Sequence, residues 1–306
     1  MGGRDGCYAG NRRTKGDLMR FEFLAQRLFN TPLAIAPGKA EVIMAALADR
    51  LGIGQISHLS HSPSMMEDDD YGYSDPGRNP RSGYDVVGGI ACIEVCGTLV
   101  QKLGTLRPYS GMTGYDGIRQ NFLTALTDPE VKAIVLDIDS PGGEVSGCFD
   151  LVDTIYQARG TKPIWSVLNE SAYSAGYAIA SAADKIVVPR TGGVGSIGVI
   201  WMHMDWSKAL TSSGFKVTFV TFGDTKADGH PEIPLSPEAL ERFQREINTM
   251  GELFVSTVAR NRNISTKVVR DTQAATYLGA DGVSQGLADA VMAPDAAFRA
   301  LLDELA

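Results

Sequence analysis

Three serines, Ser171, Ser174 and Ser181, stand among small and apolar residues in the stretch NESAYSAGYAIASAAD at 169–184. A serine hydroxyl is a poor nucleophile until a base takes its proton. The four histidines, His58, His61, His203 and His230, are all distant from this stretch in sequence. The alternative base is a lysine kept neutral by burial. Most lysines sit among polar residues, but Lys226, in TFGDTKADGHP, follows the apolar run FKVTFVTF, which reads as a strand, and lies between Gly223 and Gly229. It is either an exposed loop lysine or a buried base. Asp224 and Asp228 flank it. A nearby carboxylate favours the charged ammonium, so a base here requires both acids to point away.

The segment PIWSVLNE reads as a strand and SAGYAIASAAD as a helix starting near Ser174. At such a junction the helix N-terminus favours developing negative charge. Ser171 precedes the helix and could cap it. Ser181 lies two turns further in, among alanines, as a small packing residue. Ser174 is followed by Ala175 and Gly176, which let another backbone approach, and it reads as either a nucleophile or an N-cap. A second element is DSPGGEVSG at 139–147. Pro141 fixes one φ, and Gly142 and Gly143 let the chain turn with its N–H groups unshielded. Such a turn could donate to an oxyanion, Ala175 adding a further N–H, or it could be purely structural. No Lys-Ser or Lys-Thr follows the glycines, which excludes a phosphate loop. A third element is GGVGSIGVI at 192–200. Gly193, Gly195 and Ser196 there would either admit a substrate as an added strand or belong to a tightly packed core strand.

These residues need a scaffold. From residue 86 the chain alternates: strand GGIACIEVCGTLV, helix TGYDGIRQNFLTALTD, the continuous apolar strand VKAIVLDID, helix SGCFDLVDTIYQAR, then the strand and helix above. Repeated β-α-β crossovers predict an α/β core with a mostly parallel sheet. Ser236-Pro237 predicts the start of a long helix with Leu240, Phe243, Ile247, Phe254 and Val258 facing the core. The expected organisation is a disordered tail at 1–20, a helical segment at 21–57, a polar linker at 58–85 and the main domain at 86–306. Within the helical segment, AEVIMAALADRL places Ile43, Met44, Leu47 and Leu51 on one face. In the linker, the acidic run from Glu67 to Asp70 reads as a solvated turn.

Composition narrows the classes. Of 306 residues, 44% are hydrophobic and 21% charged, values of an ordinary globular chain. The net charge of −8 argues against a nucleic-acid partner. Four cysteines, Cys7, Cys92, Cys96 and Cys148, show no zinc or disulfide spacing. Cys92 and Cys96 share a strand face and read as buried thiols. No apolar run reaches the ~18 residues of a membrane span, and the basic N-terminus lacks a signal-peptide core, so neither an anchor nor secretion is expected.

The ordered set DSPGG, SAYSAGYAIASAAD, GGVGSIGVI and GDTKADG, with TYLGADGVSQGLADAV near the end, resembles the signal peptide peptidase A family of serine proteases over about residues 86–292. The resemblance implies a Clp protease/crotonase-like fold and a Ser–Lys dyad. Ser174 falls on the family's nucleophile, Lys226 on its base, and Gly142 and Gly143 on its oxyanion turn. The stretches GTLVQKLGTLRPYSGMTGYDGI, KADGHP and FNTPLAIAPGKAEVIMAALADRLGI are similar to the lambda-type phage capsid assembly, or head maturation, proteases. That likeness implies scaffold, capsid and portal proteins as substrates, a homo-oligomer, no cofactor or metal, and a setting in the host cytoplasm and the viral procapsid. Two other roles remain open at this stage: a cellular signal-peptide-peptidase-like protease, and a catalytically silent head protein. A crotonase-like acyl-CoA enzyme would instead rest on acids such as Glu144 or Glu170.

Overall fold

A computed structural model describes residues 31–40, 42 and 83–306. The expected tail, most of the helical segment with its apolar face, and nearly all of the linker with its acidic run lie outside the described residues. Tyr84 is buried and a strand opens at Asp85.

The strands in chain order are β1 (Leu33–Ile35), β2 (Asp85–Val87), β3 (Ile90–Val100), β4 (Met112–Gly114), β5 (Ala133–Glu144), β6 (Ile164–Tyr173), β7 (Lys185–Val188), β8 (Gly193–Gly195), β9 (Thr276–Leu278) and β10 (Ala290–Val291). The helices are α1 (Tyr115–Thr127), α2 (Cys148–Gln157), α3 (Ala175–Ser181), α4 (Ser207–Ser212), α5 (Pro237–Arg262), α6 (Thr266–Asp271), α7 (Gly279–Ser284) and α8 (Pro294–Glu304). The main sheet path runs β10-β7-β6-β5-β3-β2. Its neighbours are parallel from β10 through β3, and β2 closes the edge antiparallel. This is the mixed α/β architecture with a largely parallel sheet that the alternating pattern predicts.

Side chains alternate across a strand, and the two sheet faces meet different cover. Ile93, Ile134, Leu136, Ile138 and Leu168 pack with Phe122, Leu151, Ile155, Ile179 and Phe254 from four helices. On the other face Ile90, Val135, Trp165 and Val167 pack under Ala297 and Leu301 of α8. Further along that second face stand Cys92, Glu94 and Cys96 of β3 beside Asp137 and Asp139 of β5. Cys92 and Cys96 share a face as their spacing predicts, but they are half-buried rather than buried. Desolvation, aided by Asp137, pushes both thiols up to about 11.

Two expectations need correction. The run FKVTFVTF forms no strand: Phe215, Val220 and Phe222 are exposed. Period-2 alternation makes a strand only where a second backbone pairs with it, and the described chain brings none. In α5, Ser236 caps the helix as expected, its Oγ accepting from the Ala239 N–H at 3.1 Å. Phe254 and Val258 are in the core, but Leu240 is exposed and Phe243 and Ile247 only partly covered. The amphipathic pattern continues further toward the N-terminus than the helices α2 and α3 that it packs on.

Candidate active site

β6 runs through Tyr173, and the chain turns into α3 at Ser174. Ser174 takes φ 53° and ψ −118°, a conformation that costs a non-glycine residue on the order of 1–3 kcal/mol. Its N–H donates to the Gly195 carbonyl at 2.9 Å, and its carbonyl accepts from Ala178 N–H at 2.9 Å. Ser174 occupies the N-cap position, yet its side chain makes no capping bond. Ser236 and Ser265, by contrast, both cap their helices through Oγ. Among the described residues the Ser174 hydroxyl donates only to the Gly198 carbonyl at 3.4 Å, too long for a strong bond. That sets the N-cap reading aside and leaves the hydroxyl uncommitted.

The other two serines are accounted for. Ser171 is not a cap; it sits inside β6 opposite Gly193. Ser181 packs as expected, donating to the Ala178 carbonyl at 2.7 Å and accepting from Asn261 Nδ2 at 2.9 Å.

The glycine turn closes on Ser174. A Cβ on Gly142 would lie 2.2 Å from the Ala34 carbonyl oxygen, 2.9 Å from Ser174 Cβ and 3.1 Å from Ala175 N. On Gly143 it would lie 1.8 Å from the Leu99 carbonyl oxygen. Neither position has room for a side chain. The two N–H groups differ, however. Gly142 donates to Ser140 Oγ at 3.1 Å, and that hydroxyl donates to the Gly97 carbonyl at 2.7 Å. The donor of Gly142 is therefore spent within the turn. Ser140, fully buried and missed by the sequence reading, fixes the turn; its only signal was its place beside Pro141.

The direction of the Gly143 N–H follows from the ladder. β1 pairs antiparallel with the end of β5, with Ala34 opposite Gly143. Ala36 N–H donates to the Pro141 carbonyl at 2.7 Å, and Val145 N–H to the Pro32 carbonyl at 3.3 Å. Hydrogen-bonded pairs alternate along such a ladder, so the Ala34–Gly143 pair between them is also bonded. Gly143 N–H points at the Ala34 carbonyl.

β8 does not offer the free edge that would admit a peptide. It is parallel to β6 on one side and antiparallel to β9 on the other. Gly193, Gly195 and Ser196 are buried, and Ser196 N–H donates to the Ala275 carbonyl at 2.9 Å. A Cβ on Gly195, at φ +111°, would sit 2.5 Å from that same oxygen. These contacts fit the packed-core reading of this glycine run, and the Gly195 carbonyl anchors Ser174.

Lys226 lies in a run of turns at 223–229 and is exposed. Its backbone N–H donates to the Gly223 carbonyl at 3.2 Å, and among the described residues no hydrogen bond joins its ammonium to Ser174. The burial expected of a neutral lysine is not supplied here, because the preceding run is not gathered into the sheet. The flanking acids meet the requirement better. Asp228 is held by Arg242, with Nε donating at 2.7 Å, and Asp224 is exposed. His203 stacks on Trp201 and His230 pairs with Glu232; neither bonds Ser174.

Behind the site, Arg159 grips the far end of α3. Its guanidinium donates to the carbonyls of Ala182 at 2.8 Å, Ser181 at 2.9 Å and Ala183 at 2.5 Å, and to that of Asn261 at 3.1 Å. At the near end, Gly176 packs on Ser140, with 3.1 Å from its Cβ position to Ser140 Cβ.

A serine at a strained strand-to-helix turn, with its hydroxyl outside any capping bond, has the geometry in which a serine hydrolase holds a nucleophile. Residues 157–306 match peptidase family S49. The chain belongs to that family and is a serine endopeptidase. Over 295 residues it is 37% identical to capsid assembly protease C of Escherichia phage lambda, covering 94% of this chain and 67% of that protein. It is 38% identical over 266 residues to head-tail preconnector protein GP5 of Enterobacteria phage P21, covering 85% of this chain and 53% of that protein. A more distant similarity, 28% over 204 residues, reaches the chloroplastic serine protease SPPA of Arabidopsis thaliana, across 66% of this chain and 30% of that protein. Among the described residues no helix is long and apolar enough to cross a membrane.

Proposed function

We propose that this peptidase matures phage or prophage heads, cutting scaffold, capsid and portal proteins within the procapsid. The similarity to the two phage proteins over most of the chain supports that role. The observation that carries the chemistry is the Ser174 hydroxyl: it sits at a helix start without capping it. In this reading Ser174 is the nucleophile and Lys226 the general base, working on a Clp protease/crotonase-like fold in a homo-oligomer. Neutral Lys226 takes the hydroxyl proton as Oγ attacks a peptide carbonyl. The oxyanion is held by N–H groups of Gly143 and Ala175; Ala175 opens α3, so its donor has no partner one turn back. Gly142 drops out as a donor because Ser140 already uses its N–H. Lys226 then protonates the leaving amine, and water hydrolyses the acyl-enzyme. The chemistry needs no metal or organic cofactor.

The test is co-expression with the scaffold, capsid and portal proteins of the same phage or prophage, followed by mass spectrometry of the assembled heads. Defined new termini with the parent chain, and none with Ser174→Ala, are the expected result. Identical head proteins in both cases would reject the maturation role.

A further inference from the structure

The strand β1 lies where a substrate should lie. Leu33, Ala34 and Ile35 run antiparallel to the glycine turn, opposite Glu144, Gly143 and Gly142 respectively. The other edge of the segment is also taken: Leu33 N–H donates to the Ile200 carbonyl at 2.9 Å, and Ile200 N–H donates back to Leu33 at 2.8 Å. A three-residue extended segment is thus clamped between the two backbone walls that flank Ser174. All three residues are buried, and Ser174 beneath them is only 1% exposed.

The register is that of a peptide awaiting attack. The Ala34 carbonyl faces the Gly143 N–H, the donor assigned to the oxyanion. The Ala34 oxygen, Ser174 Cβ and Ala175 N all crowd the one point that a Cβ on Gly142 would fill. Main-chain pairing on both sides with a small residue at the centre is how an extended peptide is held by strand addition. A purely structural edge strand would have no reason to consume the donor that the reaction needs.

We propose that Leu33–Ile35 is an intramolecular occupant of the peptide groove, bound in the direction and register of a substrate, and that a substrate enters only after this strand has left. The inference rests on the reading of Ser174 as nucleophile. An occupant tethered in the same chain competes at high effective concentration. A groove open one tenth of the time weakens apparent substrate affinity about tenfold.

A disulfide that locks the strand tests this. Leu33 and Glu144 form a non-bonded pair of the ladder, whose Cα atoms stand ~4.5 Å apart, within disulfide range. Leu33→Cys with Glu144→Cys should cross-link on mild oxidation, as seen by peptide mass mapping. The oxidised chain should then cleave flexible peptides, and react at Ser174 with a small fluorophosphonate, at least about tenfold more slowly than the reduced chain. Dithiothreitol should restore both and leave the parent chain unaffected. A second pair, Leu33→Cys with Ile200→Cys, locks the opposite edge without touching Glu144 and should behave the same way. Equal rates in cross-linked and reduced protein would overturn the proposal. So would failure of both pairs to cross-link in protein that is active when reduced. If the parent chain itself reacts no better than Ser174→Ala, the nucleophile assignment fails instead.

Discussion

The strand-turn-helix that carries Ser174 and the segment at 201–235 that carries Lys226 are built on different terms. Around Ser174 the backbone is braced on several sides: β6 pairs with β5 and β8, α3 packs on β5, and Arg159 closes the helix from behind. Around Lys226 there is one short helix, α4, and then irregular chain and turns with Val220 96% and Phe222 102% exposed. In the proposed reading, the single chain fixes Ser174 and the glycine turn in advance, but not Lys226. Preorganisation is a large part of catalytic power, so the two regions should respond differently to perturbation.

The largest effect should come from the nucleophile. Ser174→Ala should lower kcat/KM by about a thousandfold or more, measured on a flexible peptide. Ser171→Ala and Ser181→Ala should leave turnover within a few-fold, Ser181→Ala losing about 1 kcal/mol of stability through its buried bonds. Activity lost only in Ser181→Ala would break the assignment.

Next comes Lys226. Arginine keeps the charge but cannot give up its proton, so Lys226→Arg should be as inactive as Lys226→Ala, with unchanged melting because the side chain is exposed. Near-normal turnover in Lys226→Arg would remove the lysine from the mechanism and leave only the Ser174 half of the comparison standing.

Gly195→Val tests the rigid side. The position is at φ +111° and its Cβ would meet the Ala275 carbonyl, so the expected outcome is a loss on the order of 3 kcal/mol in chemical denaturation. A Gly195→Val chain that melts normally but rejects peptides would restore β8 to the groove wall. Hydrogen exchange gives the complement: amides at 215–226 should exchange orders of magnitude faster than those of β5 and β6.

The smallest effect lies in the sheet beneath the site. Burial, then the charges of Glu94 and Asp139, push the Asp137 carboxyl up to about 6. Between an unfolded value of ~3.9 and about 6 the folded chain binds this proton more readily than the unfolded chain. The group therefore favours the fold at low pH, and that contribution declines as pH rises through the window. Asp137→Asn should flatten this slope and add about 1 kcal/mol or less at pH 7.5, after allowance for partial solvent screening. An unchanged melting curve from pH 4 to 8 would remove Asp137 from the pH response.

The contrast also explains what the sequence could tell. The strand–helix alternation, the Ser174 junction and the glycine turn were legible because each depends on neighbours a few residues away. Whether Ser174 caps its helix was not, since Ser236 and Ser265 present the same residue type at the same position and differ only in side-chain geometry. The roles of Gly193 and Gly195 stayed open because small residues serve a free edge and a crowded one equally; the pairing of β9 with β8 is what favours the crowded one. FKVTFVTF reads as a strand because alternation reports what a segment can do, whereas pairing depends on a partner the described chain does not supply. Ser140 and the reach of β1 depend on long-range register, which no local pattern encodes.

Arg159 gives the nucleophile a mechanical support remote from the chemistry. α3 has only seven residues, too short to be stable through its own hydrogen bonds, so its axis is set by the core that buries all seven and by what holds its two ends. One guanidinium, docked on three consecutive carbonyls at the tail, acts as a clamp on a short rod whose other end is Ser174. A small tilt at the clamp becomes a displacement of the hydroxyl relative to the oxyanion donors, where misplacement of about 1 Å costs about a hundredfold in rate. In the proposed reading of Ser174, catalytic precision is in part the stiffness of a joint at the far end of α3.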